Sequence, residues 1–391
     1  MRAQSENFVR EDISLDNWKD LPFSTWSFQN VQELIPVAEI PGASSTSLPQ
    51  LIDSDFLQQS FSSQSGTETY KSFLERSHTD AFLLLKSGEI VSDWYTRDMH
   101  LHAKHLIFSI SKSLTGALGG IIFKKFDIDL NSKVGKFLDI PSGSAYATAT
   151  LRNLLDMSVS LNFDESYSST TGIYARYRQA MLWMNRKEQD AYSNETLEEF
   201  ILGLEQSEHE HGVQFNYRSP NSDLLGRVIE IVGGKPFAEL MSQELWIPLG
   251  CSTATITVDA EGMARTAGGI SCSIHDLALL AESIRLAHSG MRDGVISQEW
   301  ALDTFGKGDR EIWRKGDFAN FFPEGSYRNQ WYSIDKNRGC AIGIHGQWIY
   351  IDFSQEIVAI RLSSQASADD DSLDESTLAL FESLAQSCVK E

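Results

Sequence analysis

Cysteine is scarce in this chain. Cys251, Cys272, Cys340 and Cys388 are the only four among 391 residues, and they stand far apart with no pairing signature. In a chain long enough to bury a large core, that spacing excludes a disulfide framework and points to reduced thiols. No run approaches the ~18 apolar residues that a spanning helix needs, so no membrane partner is expected. The opening stretch MRAQSENFVREDISLDNW contains no apolar segment and does not read as a secretory signal, so a cytoplasmic location is expected. Basic charge is in deficit, with 33 Lys and Arg against 54 Asp and Glu and a net charge of −21. No basic stripe could neutralise phosphates, which excludes a nucleic-acid partner, and the acidity reads as solubility. No repeat period of 20–50 residues occurs. No G-x-S-x-G elbow occurs either, which disfavours a conventional α/β-hydrolase. Histidines at metal-ligand spacing do occur, as His100, His102 and His105 in HLHAKH and His209 and His211 in EHEH. No cysteine or carboxylate completes a zinc box around them, so they read as surface histidines and no metal or other cofactor is expected.

What is there is an ordinary globular composition, 41% hydrophobic and 22% charged. Residues 1–75 are irregular and polar, and the second half of the Ser-rich stretch Ser44–Phe73 is expected to be helical. DAFLLLKSGEIVSDWY (Asp80–Tyr95) reads as a hairpin around Lys86-Ser87-Gly88-Glu89. NQWYSID, CAIGIHGQWIYIDF and EIVAIRLSS read as three further strands, and a last helix is expected from Asp371 to Val389. The middle, about 109–320, reads as mostly helical. The expectation is an α+β chain, an α/β sandwich. Its antiparallel sheet is built from both chain ends (about 1–108 and 321–391) around an inserted helical lobe (109–320), with a cleft between them as the natural site.

FSISKSLTG (Phe108–Gly116) carries the chemistry. Ser109 precedes Lys112 by three residues, one helical face, so hydroxyl and amine can meet, whereas Ser111 points about 100° away. A strand-like HLIF before Ser109 and Leu114, Leu118 and Ile121 after it place the serine at a buried helix's N-terminus, where free N–H groups favour developing negative charge. The same residues also suit an N-capping serine followed by a solvated lysine. Tyr217, in FNYRSPNSDLLG, lies just before a helix, with a hydroxyl that a lysine ammonium could hold as phenolate. A Ser–Lys–Tyr set needs no histidine. GIHGQW (Gly343–Trp348) is expected to begin a strand whose glycines let substrate lie against the backbone; one of its N–H groups and that of Ser109 would form an oxyanion hole. His345 beside it is either a cleft liner or a packed histidine.

The order S-x-x-K, Tyr motif, glycine-bearing edge strand resembles the serine β-lactamases and penicillin-binding proteins. TLRNLLDMSVSL, GKPFAELMSQELWIPLG and AGGISCSIHDLALLAESI are similar to further stretches of that superfamily, so the resemblance covers nearly the whole chain as one catalytic domain, 1–391. LDNWKDLPFSTWSFQNVQELIP and AIGIHGQ look most like the 6-aminohexanoate-dimer (nylon oligomer) hydrolases and related esterases. The resemblance implies Ser109 as acylated nucleophile, Lys112 as its base, Tyr217 as proton shuttle and the Ile344 N–H as second oxyanion donor. It also implies Tyr167 and Trp183 as substrate-binding residues, and His345 is counted with them on the cleft-liner reading. Two departures stand out. AIGI (Ala341–Ile344) replaces the usual Lys-Thr-Gly box, and Tyr217-Arg218-Ser219 lacks the asparagine many lactamases carry. Both fit esterase or linear-amide chemistry, on a small-molecule ester or amide substrate, better than β-lactam or D-amino-acid peptide hydrolysis, and the intact Ser109, Lys112 and Tyr217 argue against an inactive binding module. Where the nylon-oligomer hydrolases supply an acid for a substrate ammonium, this chain has Arg176 and Arg178, so an esterase favouring anionic tails is expected if those arginines face the cleft. A homodimer is compatible with the sequence.

Overall fold

Both chain ends feed one antiparallel sheet. In the computed structural model, which describes residues 8–43, 46–96, 98–186, 192, 194–291 and 294–387, the strands Thr79–Lys86 and Glu89–Tyr95 form the expected hairpin. Thr79–Lys86 pairs with the penultimate element, Ile357–Ser363, and the sheet continues through Gln347–Asp352, Arg338–Gly343, Trp331–Ser333 and Ser326–Arg328 to seven strands. All seven residues of Ile357–Ser363 are buried, because the sheet has helices on its faces. The C-terminal helix is described from Asp371 to Ser387; Cys388 and Val389 lie outside the described residues. Cys251, Cys272 and Cys340 are free and buried, which suits reduced thiols.

The structure departs from the sequence reading in three places. Ser60–Ser63 and Gly66–Thr69 form a two-stranded hairpin where helix was expected, and helix starts only at Tyr70. Gly66, at φ +117°, turns the chain there, and Ser62 and Thr67 face one another across the pair with hydroxyls 2.8 Å apart. The central lobe carries a second sheet of four strands, in which Ala254–Thr257 and Ile270–Ser273 pair with each other and then with Val37–Ile40 and Lys104–Leu106. Both inner strands are four residues long and wholly buried, so they show neither alternation nor length to a periodicity argument. Finally, CAIGIHGQWIYIDF is two strands: Gly343 ends one, Ile344–Gly346 is the turn, and Gln347 begins the next.

That turn is brought against the start of the helix Ile110–Lys125. Gly343 permits the approach: a Cβ there would stand 2.8 Å from the Ile107 carbonyl and 3.1 Å from the Ser109 nitrogen. The strand containing Gly343 is not at the sheet edge, but its neighbour Trp331–Ser333 pairs with it only at Gly339 and Cys340, so the Ala341–Gly343 end is open on that side.

Candidate active site

Ser109 occupies the N-cap position of its helix, yet its side chain makes no capping bond. Its hydroxyl instead accepts a hydrogen bond from the Lys112 amine at 2.9 Å, and the same amine donates to the Ala267 carbonyl at 2.8 Å. Lys112 is 1% exposed, so the solvated-lysine reading does not hold. Burial pulls its ammonium down from an ordinary 10.5 to about 7, against the opposing pull of Glu165 and Asp223 and with the help of Arg265. A neutral amine is therefore available near neutral pH. Ser111 is wholly buried and accepts the Ile270 N–H at 3.1 Å, so its hydroxyl ties helix to sheet and faces away from the cleft.

The backbone just before the nucleophile is bent: Phe108 is held at φ +43°, a conformation an aromatic residue adopts only where packing imposes it. Its ring is locked by Trp18, Phe28, Trp183 and His345. The bend immediately precedes the Ser109 N–H. Neither that N–H nor the Ile344 N–H is taken up by another backbone carbonyl among the described residues.

Tyr217 brings its hydroxyl to the Ser109 and Tyr332 side chains, and the Lys112 amine lies 4.9 Å from its ring centre. Burial pushes the phenol above its ordinary value, so Tyr217 is a neutral hydroxyl and not the phenolate the sequence suggested. Asp317 fixes this stretch by accepting the Tyr217 N–H and pairing with Arg218. The cleft, about 350 Å³, is lined by Ser109, Tyr167, Tyr217, Tyr332, Ile342 and Ile344 among others.

Trp183, expected on its walls, and His345, for which that was one of two readings, both lie beneath them. Trp183 is 5% exposed and gives its indole N–H to Thr257. His345 is buried, with Nδ1 2.7 Å from the Gln365 carbonyl, and burial drops it to about 4, so it is the packed histidine of the two readings. Arg176 does not line the cleft either; it pairs with Glu195 and stacks on Tyr192. Among the metal-spaced histidines, His105 sits against Asp80 and the Leu106 carbonyl, and His211 takes the Ser160 N–H.

Sequence reasoning missed the support beneath Lys112. Asp223, fully buried, pairs with buried Arg265, takes the Tyr177 hydroxyl, and accepts the Ala267 N–H at 2.8 Å, thereby holding the residue whose carbonyl receives the lysine. On a helix Asp223 would be assigned to Arg227 one turn on, but Arg227 pairs with Glu198 and Glu230. Glu165 was also missed; it accepts the Ser219 N–H, the Ser219 hydroxyl and the Tyr167 hydroxyl, closing the wall beside Tyr217. Replacing Asp223 with alanine should cost about 3–5 kcal/mol in chemical denaturation, because it strands the Arg265 guanidinium in the interior. A cost below about 1 kcal/mol would show that the pair is not what holds this region.

A sheet closed by both chain ends, with a cleft at the first helix of a central lobe, is the architecture of hydrolases of the serine β-lactamase superfamily. The chain belongs to the beta-lactamase family, whose model matches residues 68–382. It is 31% identical over 362 residues to the 6-aminohexanoate-dimer hydrolase of Paenarthrobacter ureafaciens, covering 91% of this chain and 89% of that protein. A solved Bacillus anthracis structure designated a 6-aminohexanoate-dimer hydrolase superposes with TM-score 0.87 at 19% identity, covering 97% of this chain and 98% of the other. EstCE1, a hydrolase with promiscuous acyltransferase activity, superposes with TM-score 0.61 at 14% identity over 82% of this chain and 96% of its own. No helix among the described residues is long and apolar enough to cross a membrane.

Proposed function

We propose that the protein is a serine hydrolase that acts through an acyl-enzyme on carboxylic esters and, more slowly, on linear amides. The observation that carries this reading is the buried Lys112 amine, drawn down to about 7 and 2.9 Å from the Ser109 hydroxyl. The neutral amine takes the serine proton as Oγ attacks the substrate carbonyl. The oxyanion that forms is met by the Ser109 and Ile344 N–H groups. Tyr217, neutral and beside Ser109, gives its proton to the leaving oxygen or nitrogen and regains one from Lys112. Water then releases the acid by the reverse sequence.

The relative's 6-aminohexanoate-dimer hydrolase name supports including a linear amide among the substrates. A panel of nitrophenyl butyrate, the linear 6-aminohexanoate dimer and nitrocefin tests the reading. Ester turnover should be fastest and nitrocefin turnover absent, since Ala341–Ile344 offers no lysine for a β-lactam carboxylate. Nitrocefin as the preferred substrate would contradict it. Tyr217→Phe should lower amide hydrolysis by about 10²–10⁴-fold and nitrophenyl ester hydrolysis far less, because an expelled amine must be protonated and a nitrophenolate need not be. Equal losses would assign Tyr217 to the serine alone.

A further inference from the structure

The turn that carries Ile344 has a backbone that does not hold itself. His345 stands at φ +61° and Gly346 at φ +82°, two left-handed residues in succession. A non-glycine residue keeps that conformation only where its surroundings impose it. Ile344 lines the cleft, and the strand that delivers it runs so close to the nucleophile that a Cβ on Gly343 would stand 3.1 Å from the Ser109 nitrogen. A shift of this turn therefore moves the Ile344 peptide relative to Ser109.

Gln347, the register partner of Gly343, is wholly buried and reaches back over the turn. Its Nε2 donates to the Ser363 carbonyl at 2.6 Å, the His345 carbonyl at 3.0 Å and the Ile344 carbonyl at 3.3 Å, while its Oε1 accepts the Ser363 N–H at 3.1 Å. Carbonyls at one end and an N–H at the other fix which way the amide points. It has two protons for three carbonyls, so one goes to Ser363 and the other is shared by the two turn carbonyls. The amide thus ties the turn to the strand Ile357–Ser363. The other fastenings all fall on His345: its N–H donates to the Ala368 carbonyl at 2.9 Å, its carbonyl accepts the Gln365 N–H at 3.3 Å, and its Nδ1 meets the Gln365 carbonyl at 2.7 Å. Among the described residues, the only hydrogen bond to an Ile344 backbone atom is the one from Gln347.

We propose that Gln347 is a positioning residue for the hydrolysis: its amide protons hold the Ile344–Gly346 turn in the one arrangement in which the Ile344 N–H meets the oxyanion. Gln347 does not line the cleft, so it acts through Ile344 and touches no substrate atom. A donor fixed before the reaction stabilises the developing charge without reorganising, and a misplacement of about 1 Å can cost about 10²-fold in rate. A hydrophobic residue of the same size at this position would fill the same space and leave the turn carbonyls untied.

This inference rests on the serine-hydrolase reading, and its test has a readout that does not. The first arm is kinetic. Gln347→Met should lower kcat about 10²-fold on nitrophenyl butyrate and leave KM within about threefold, the signature of an interaction made only in the transition state. The loss should be equal on the linear 6-aminohexanoate dimer, since ester and amide both form the oxyanion, whereas loss of the Tyr217 acid falls on the amide. The limb near pH 7 should not move, because Lys112 is untouched. Gln347→Glu, which keeps the acceptor for the Ser363 N–H, supplies the same comparison of ester with amide if the methionine variant does not fold. The second arm needs no turnover: the His345 N–H should exchange with solvent about tenfold faster in either variant, while the helix Ile110–Lys125 exchanges as in the wild type. If the wild type hydrolyses neither substrate, the hydrolase reading falls and the exchange arm still decides whether Gln347 holds the turn. Unchanged kcat in an active enzyme, a loss confined to the amide, a displaced pH limb in Gln347→Met, or unchanged exchange at His345 overturns the positioning role.

Discussion

Ser109→Ala is expected to lower ester hydrolysis by about 10³–10⁶-fold, the range set by losing a nucleophile while binding and oxyanion stabilisation remain. Ser111→Ala, two residues on, should keep most of the turnover. The contrast is geometric. Ser109 stands at the helix start with its hydroxyl bound to Lys112 and open to the cleft, while Ser111 is sealed in the interior holding the Ile270 N–H. The Ser111 variant should instead lose about 1–3 kcal/mol of stability from the stranded donor. Steady-state kinetics and denaturant unfolding on both variants separate the two effects. A dead Ser111→Ala enzyme with a live Ser109→Ala enzyme would invert the assignment.

Lys112→Met should be nearly as damaging, and its pH behaviour identifies the cause. In the wild type, kcat/KM should rise with pH through a limb centred near 7, since only the neutral amine accepts the Ser109 proton. Lys112→Arg should not rescue activity at any pH, because a guanidinium stays charged. Stability carries the same signature. The folded ammonium titrates near 7 and the unfolded one near 10.5, so between those values the unfolded chain binds more protons and stability must rise with pH. That rise should be absent in Lys112→Met. A wild type whose activity is flat from pH 6 to 9, with the same stability profile as Lys112→Met, would mean that the lysine stays charged and is not the base.

The line of chemistry was legible in the sequence where it depended on local spacing. Ser109 and Lys112 are three residues apart on one helix, and their meeting follows from helical geometry. The hairpin at Thr79–Tyr95 was legible for the same reason, two apolar runs around a turn. What escaped depends on distant segments. Asp223 supports the lysine through the backbone of Ala267, across 44 residues of chain. The four-stranded sheet joins Val37–Ile40 to strands more than 200 residues later, and its inner members are too short to show a period. Trp183 was expected on the cleft surface from the family resemblance, and His345 was left open between cleft and core. Instead they are packed against Phe108, where they hold the bend just before Ser109. The two arginines divide in a way that sequence cannot show: Arg176 finds Glu195, and Arg178 forms no ion pair among the described residues.

The central claim is that Ser109 is the residue acylated. Incubating the protein with a fluorophosphonate probe, digesting with trypsin and fragmenting the labelled peptide tests it directly, because cleavage after Lys104 and Lys112 isolates His105–Lys112 with both Ser109 and Ser111 in it. The fragment ions should place the adduct on Ser109, with labelling slowed below pH 7 as Lys112 becomes protonated. An adduct on Ser111, or a peptide that remains unlabelled while the ester is hydrolysed, would contradict the account.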